Sequence, residues 1–111
     1  MSDASCLFCK FATGEIKKEF LYQDEDVMVF ADIHPIKPVH LLIVPKTHVP
    51  EFSSVEPDLM QKLLEVVRKM ANREGLDKGR GYRIGMNAGG AEAIKHLHIH
   101  LMGPIKNTDG M

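Results

Sequence analysis

Residues 96–100 read His-Leu-His-Ile-His, and this strict alternation limits the segment to very few conformations. In an extended strand, successive side chains point to opposite faces. His96, His98 and His100 therefore share one face, and Leu97, Ile99 and Leu101 share the other. The aliphatic set can anchor the strand in a core, while the other face carries three imidazoles about 7 Å apart. A helix would scatter the same residues around its axis. Imidazole is a nucleophile, a proton carrier and a metal ligand near neutral pH, so the histidine face is the first place to look for chemistry.

The remaining features fit a small domain. At 111 residues the chain suits one domain spanning residues 1–111, with residues 105–111 expected to fray. A chain this short gains from oligomerisation or a bound metal. Fourteen basic and fifteen acidic residues give a formal net charge of −1, which provides no general attraction to nucleic acid or membrane surfaces. The N-terminus lacks the basic and apolar regions of a signal peptide, and no apolar run approaches the length of a membrane span. Both cysteines fall in Cys6-Leu-Phe-Cys9. The expected location is cytoplasmic, where such a pair favours metal or redox chemistry over a disulfide.

The pattern predicts an α+β domain. Residues 6–13 form a short helical turn ending at Gly14. Phe20–Tyr22 and Val27–Ala31 are strands joined by a polar turn into a hairpin, and two prolines make residues 34–38 a loop. Val39–Val44 is a near-continuous apolar run, the mark of a strand buried on both faces. Ser53-Ser54-Val55-Glu56 matches a capping box. The one long helix follows, with Leu59, Met60, Leu63, Leu64, Val66, Val67, Met70 and Ala71 at helical spacing and Gly75 as its stop. Its apolar surface exceeds what one stripe needs, which predicts that it packs on the sheet and on a second copy of the chain. Tyr82–Asn87 supplies another strand, and Ala88–Ala91 turns into the histidine strand.

The sequence His96-Leu97-His98-Ile99-His100-Leu101-Met102 resembles the signature of the histidine triad family of nucleotide hydrolases and transferases. The resemblance extends over Phe30–Pro35, Pro38–His48 and Tyr82–Asn87, in matching order and spacing, and is nearest to the Hint-like, bacterial-type branch. It implies an antiparallel five-stranded sheet with one long and one short helix, a two-fold homodimer, and purine nucleoside monophosphate-type ligands held as phosphoramidates or nucleotidyl esters. It also implies that His98 is the nucleophile, that His100 and His40 bind phosphate oxygens or guide protons, and that Asn87 contacts the phosphate or leaving group. Asp32 would accept from the ribose hydroxyls, Ile33 and Phe30 would offer apolar surface to the base, and His96 would complete the nucleotide site. A neutral imidazole suits the attack if its other nitrogen is held by an acceptor. The chain departs from the family pattern at Ala91-Glu92-Ala93, where a Gln followed by Ser or Thr is usual. One hydroxyl donor is lost there, and a negative charge stands near an anionic substrate. His34 reads as loop.

Cys6 and Cys9 have the spacing of half a zinc site. Alone, the pair could equally be buried reduced thiols. In some bacterial-type members of the family two histidines complete the site, and these match His48 and His96, giving a closed structural zinc centre. No organic cofactor is expected. Beside phosphoramidate hydrolysis stand three further readings: a dinucleoside polyphosphate hydrolase, a nucleotide-binding regulator with little turnover, and a zinc hydrolase using the triad itself as ligands. The last is disfavoured because the outer histidines of a straight strand lie roughly 13–14 Å apart.

Overall fold

The computed structural model describes residues 3–110. Helix α1 spans Leu7–Thr13 and α2 spans Pro57–Arg73, while five strands run β1 Tyr22–Gln23, β2 Val27–Ala31, β3 Val39–Pro45, β4 Arg83–Gly85 and β5 Ile99–Gly103. The strands form one sheet in the order β1-β2-β3-β5-β4, and every neighbouring pair is antiparallel. The α+β architecture expected from the sequence is the one observed.

The sheet separates two cores. Val27, Val29, Leu41, Ile43, Leu97, Ile99 and Leu101 face α2 and pack against Leu63, Val66, Val67 and Met70. Met28, Phe30, Leu42 and Val44 face the other way, against Phe8, Cys6 and Cys9 at α1. Strand β3 is therefore buried on both faces, as its unbroken apolar run requires. Each large apolar side chain removed from water contributes roughly 1.5–3 kcal/mol. On α2 the apolar positions are largely consumed by this sheet; of the large ones, Leu64 stays 46% exposed.

Local chemistry sets the element ends. Helix α1 starts at Cys6, whose Sγ accepts from the Cys9 N–H, and it ends at Gly14 with φ +82°, a left-handed conformation that glycine adopts without a Cβ clash. The expected capping box does not form. Glu51 instead caps a 3₁₀ turn at Phe52–Ser54, its carboxylate accepting from the Ser53 N–H at 2.7 Å. A helix begun at Ser53 would place Pro57 beyond the first turn, where it has no N–H to give and clashes with the preceding turn. The helix begins instead with Pro57 in its first turn, where proline is favoured.

Strand β5 is shorter at its start than the histidine pattern predicts. Its ladder with β3 begins at the Ile43–Ile99 pair. Continuing it would set Leu97 against Pro45, which has no N–H to donate. Leu97 instead donates to the carbonyl of Val49 at 2.7 Å, and His96 and His98 keep the alternation outside the ladder. Strand β4 is likewise shorter than Tyr82–Asn87. Within the tail expected to fray, of which Met111 lies outside the described residues, Ile105 N–H donates to Gly81 O at 3.1 Å, Lys106 N–H donates to the Asp109 carboxylate at 2.9 Å, and Lys37 pairs with the same carboxylate at 3.3 Å.

Gly103 closes β5 where no side chain fits. A Cβ there would stand 2.7 Å from Leu76 Cδ2 and 2.8 Å from Gly81 O, whereas a Cβ on Gly85 would meet nothing within 4 Å. Gly103→Ala is expected to cost about 2 kcal/mol and Gly85→Ala less than about 0.5 kcal/mol, read from urea unfolding midpoints. Equal losses would contradict the packing described.

Candidate active site

The histidines lie on the α1 face of the sheet. His98 sits just before the ladder of β5 and His100 within it, opposite Leu42 of β3 and Gly85 of β4. His40 stands on β3, one residue into the strand. Phe8 of α1 packs edge-on against both His96 and His98, with ring centroids 5.7 and 5.4 Å away. The alternation thus delivers His96, His98 and His100 to one face and binds Leu97, Ile99 and Leu101 into the α2 core.

Hydrogen bonds assign a tautomer to each ring. His98 is 7% exposed, and its Nδ1 lies 2.7 Å from the carbonyl oxygen of His96. Only a protonated Nδ1 can make that contact, so Nε2 carries the lone pair and is free to attack. The Ile36 N–H donates to His40 Nδ1 at 3.2 Å, which assigns the His40 proton to Nε2. That proton points at His100 Nδ1, 2.9 Å away, and an Asp32 carboxylate oxygen lies 3.5 Å from His40 Nε2. With its Nδ1 accepting, His100 carries its own proton on Nε2. The three rings thus present one bare nitrogen and one N–H donor. Burial, followed by the neighbouring His98 and His40, pushes His100 below the usual histidine range, while Asp32 opposes this.

An open cleft of about 280 Å³ borders these rings and is lined by His98, His100, Asn87, Asp32, Ile33 and Phe30 among others. Six of the residues expected at a nucleotide site are therefore brought together. Ile33 is 75% exposed and free to cover a ligand. The Asp32 carboxylate accepts from the His34 N–H at 2.8 Å, and His34, expected to be loop only, also lines the cleft.

Three residues singled out in the sequence stand off the cleft wall. His40 does not line the cleft; it is 6% exposed and reaches it through His100. His96 is fully buried and does not line the cleft either, because its Nε2–H is drawn to the carbonyl of Pro45 at 2.7 Å and its Nδ1 faces the cysteines. Glu92 bends into its own loop, accepting from the Gly90 N–H at 3.1 Å, so its charge does not face the cleft, whereas Ala93 lines it. Sequence reasoning missed Lys18 and the α1 residues Leu7, Phe8 and Phe11, all of which line the cleft. The spacing of Leu7, Phe8 and Phe11 was a readable signal, since it places them along one helical face.

The second cluster joins Cys6, Cys9, His48 and His96, whose ligand atoms all lie within 4.8 Å of one another. His96 Nδ1 stands 3.2 Å from Cys6 Sγ and 3.5 Å from Cys9 Sγ, and His48 Nδ1 is 3.4 Å from Cys9 Sγ. The ligands of a tetrahedral zinc with two thiolates and two imidazoles stand about 3.3–3.8 Å apart, so this donor set fits that ion. The bond from His96 Nε2–H to Pro45 O leaves Nδ1 bare for a metal, the outer-shell arrangement of many ligating histidines. Asp3 lies 3.9 Å from His48 Nε2. Burial pushes the Cys9 thiol up, which disfavours a bare thiolate in that pocket. His98 belongs to no group of potential metal ligands among the described residues, so a metal held by the whole triad has no geometric support.

The HIT domain family model matches residues 13–107. The chain is 35% identical over 102 residues to the purine nucleoside phosphoramidase of Escherichia coli, covering 87% of this chain and 85% of that one. It is 34% identical over 110 residues to a 14 kDa zinc-binding protein of Zea mays, covering 93% and 84%. The solved structure of a histidine triad protein from Clostridium difficile superposes with a TM-score of 0.88 at 34% identity, covering all of both chains. With its histidines so arranged and these likenesses along nearly its whole length, the chain belongs to the HIT domain family.

Proposed function

We propose that the chain is a hydrolase of purine nucleoside phosphoramidates or related nucleotidyl esters, acting through a nucleotidyl-histidine on His98. The single observation that carries this reading is the bond from His98 Nδ1–H to the carbonyl of His96 at 2.7 Å, which leaves a bare Nε2 at an open cleft. The name of the E. coli relative supports the same class.

The chemistry follows from the tautomers. His98 Nε2 attacks phosphorus, the bond to the leaving nitrogen breaks, and the leaving nitrogen takes up a proton from solvent, to which the attacking water of the second step returns one. The new imidazole–phosphorus bond makes the His98 ring cationic, and the acceptor on its Nδ1–H stabilises that charge. His100 Nε2–H is a donor in the cleft wall, and His40, whose Nε2–H points at His100 Nδ1, holds it in the donating tautomer. Water then attacks phosphorus and releases His98 with the nucleoside monophosphate. Asn87 contacts the phosphate, Asp32 accepts from the ribose, and Phe30 and Ile33 hold the base. His40 is a positioning residue in this scheme, because it acts through His100. His98→Ala is expected to abolish AMP release from adenosine 5′-phosphoramidate, and His40→Ala to lower kcat by about 10²-fold, the scale of one positioned proton donor. Release by His98→Ala at the wild-type rate would refute the proposal.

The proposal includes a structural zinc on Cys6, Cys9, His48 and His96, supported by the fit of the donor set and by the name of the maize relative. When bound, the ion would tie α1 to the loop after β3 and to the segment that leads into β5, and take no part in the reaction. Protein purified without chelator should carry about one zinc per chain, and Cys9→Ser should lose most of it; less than a tenth of an equivalent in the wild type would overturn this part. Burial lowers His96 to about 4. In metal-free protein, the unfolded chain gains a proton near pH 6.5 that the folded chain refuses until about pH 4. Stability should therefore fall as pH drops through that window, by on the order of 3 kcal/mol. A flat urea midpoint between those two values would contradict the assignment.

Pairing with a second copy of the chain belongs to the same proposal. Strand β4 is an edge of the sheet; Ile84 on it and Tyr82 just before it are 46% and 41% exposed, and Leu64 on α2 is similarly open. Sedimentation at micromolar concentration should give a dimer, and a monomer alone would refute it.

A further inference from the structure

We infer that Lys18 is a specificity-determining residue that selects nucleotides with a 6-oxopurine base, guanine or hypoxanthine, over adenine; this rests on the nucleotide reading of the cleft. Lys18 lies in the connection between α1 and β1, and its side chain is the only lysine or arginine lining the cleft among the described residues. Its Nζ stands over the rings of Phe11 and Phe30, 5.4 and 5.2 Å from their centroids. It forms no ion pair among the described residues, so its donors are not committed to a carboxylate.

The position along the cleft determines what this ammonium can meet. His98 packs on Phe8 with centroids 5.4 Å apart, whereas Lys18 rides on Phe11 and Phe30 at the other part of the aromatic wall. The phosphorus must stand at His98 and the ribose near Asp32, which leaves the Phe11–Phe30 surface for the base. Lys18, held over that surface, is the charged donor there.

An ammonium offers three N–H donors and no acceptor. Guanine and hypoxanthine present O6 and N7 side by side, two acceptors that one ammonium can engage together. Adenine presents N7 beside an amino group, which sets donor against donor. A base sliding onto the phenylalanines moves the ammonium from their faces toward the rim of the base. The cation–π contact it leaves is worth little at a partly exposed site, so the hydrogen bonds to a 6-oxopurine decide the balance.

The test compares wild type and Lys18→Met, which keeps the length and apolar stem of the side chain, on guanosine and adenosine 5′-phosphoramidate. Wild type should favour guanosine in kcat/KM by about tenfold, the scale of one hydrogen bond to a charged donor. In Lys18→Met the ratio should fall to near one, with the change in KM rather than kcat. A wild type with no guanosine preference, or a ratio that survives the substitution, overturns the proposal. An equal loss on both substrates also overturns it and assigns the ammonium to the phosphates. Should wild type turn over neither substrate, the hydrolase reading fails by itself. Calorimetric binding of GMP and AMP to the same two proteins then decides the base preference by the same ratio.

Discussion

The main chain of His96 carries the site. Its carbonyl holds the proton of His98 on Nδ1 at 2.7 Å, while its own ring is held between Pro45 O and the two cysteines. The orientation of His98 therefore depends on how well His96 is fixed, and His96 is held by three parts of the fold: β3 through Pro45, α1 and its cap through Phe8, Cys9 and Cys6, and the loop after β3 through His48. A side chain on a flexible segment would sample several rotamers. Here His96 is fully buried, and the ladder starts three residues later.

The same reasoning explains why a polar cluster can sit on a sheet face that is otherwise a core. Each buried histidine has at least one hydrogen-bonded ring nitrogen, and no fully enclosed side-chain nitrogen or oxygen among the described residues lacks a partner. Unpartnered, each such group would cost about 1–3 kcal/mol. Partnered, the rings are oriented rather than merely tolerated. The chain from Ile36 N–H through His40 to His100 and the bond from His98 to His96 O run in opposite senses around the two rings. That opposition is what leaves one ring with a bare nitrogen at the cleft and the other with a proton.

Much of this is legible in the sequence, for specific reasons. A period of two residues admits one face assignment, so the sides taken by His96–Leu101 follow from spacing alone. The apolar run Val39–Val44 likewise announces a strand with cores on both faces. What the sequence conceals depends on contacts between distant segments. The missing N–H of Pro45 shortens the ladder, and nothing near His96 reveals it. The burial of His40 depends on a backbone N–H in a loop. Lys18 stands in a charged stretch with Glu15, Lys17 and Glu19, where no periodicity marks it, and reaches the cleft only after β2 brings Phe30 beneath it. The Ser53–Glu56 pattern misleads because Glu51 competes for the same N–H and Pro57 limits where a helix can begin.

The most direct test of the central claim is long-range proton–nitrogen NMR of the imidazole rings, at a pH where they are neutral. His98 should show a protonated Nδ1 and a bare Nε2, with His100 in the opposite tautomer. A His98 signal with the proton on Nε2 would contradict the account, because no lone pair would then face the cleft.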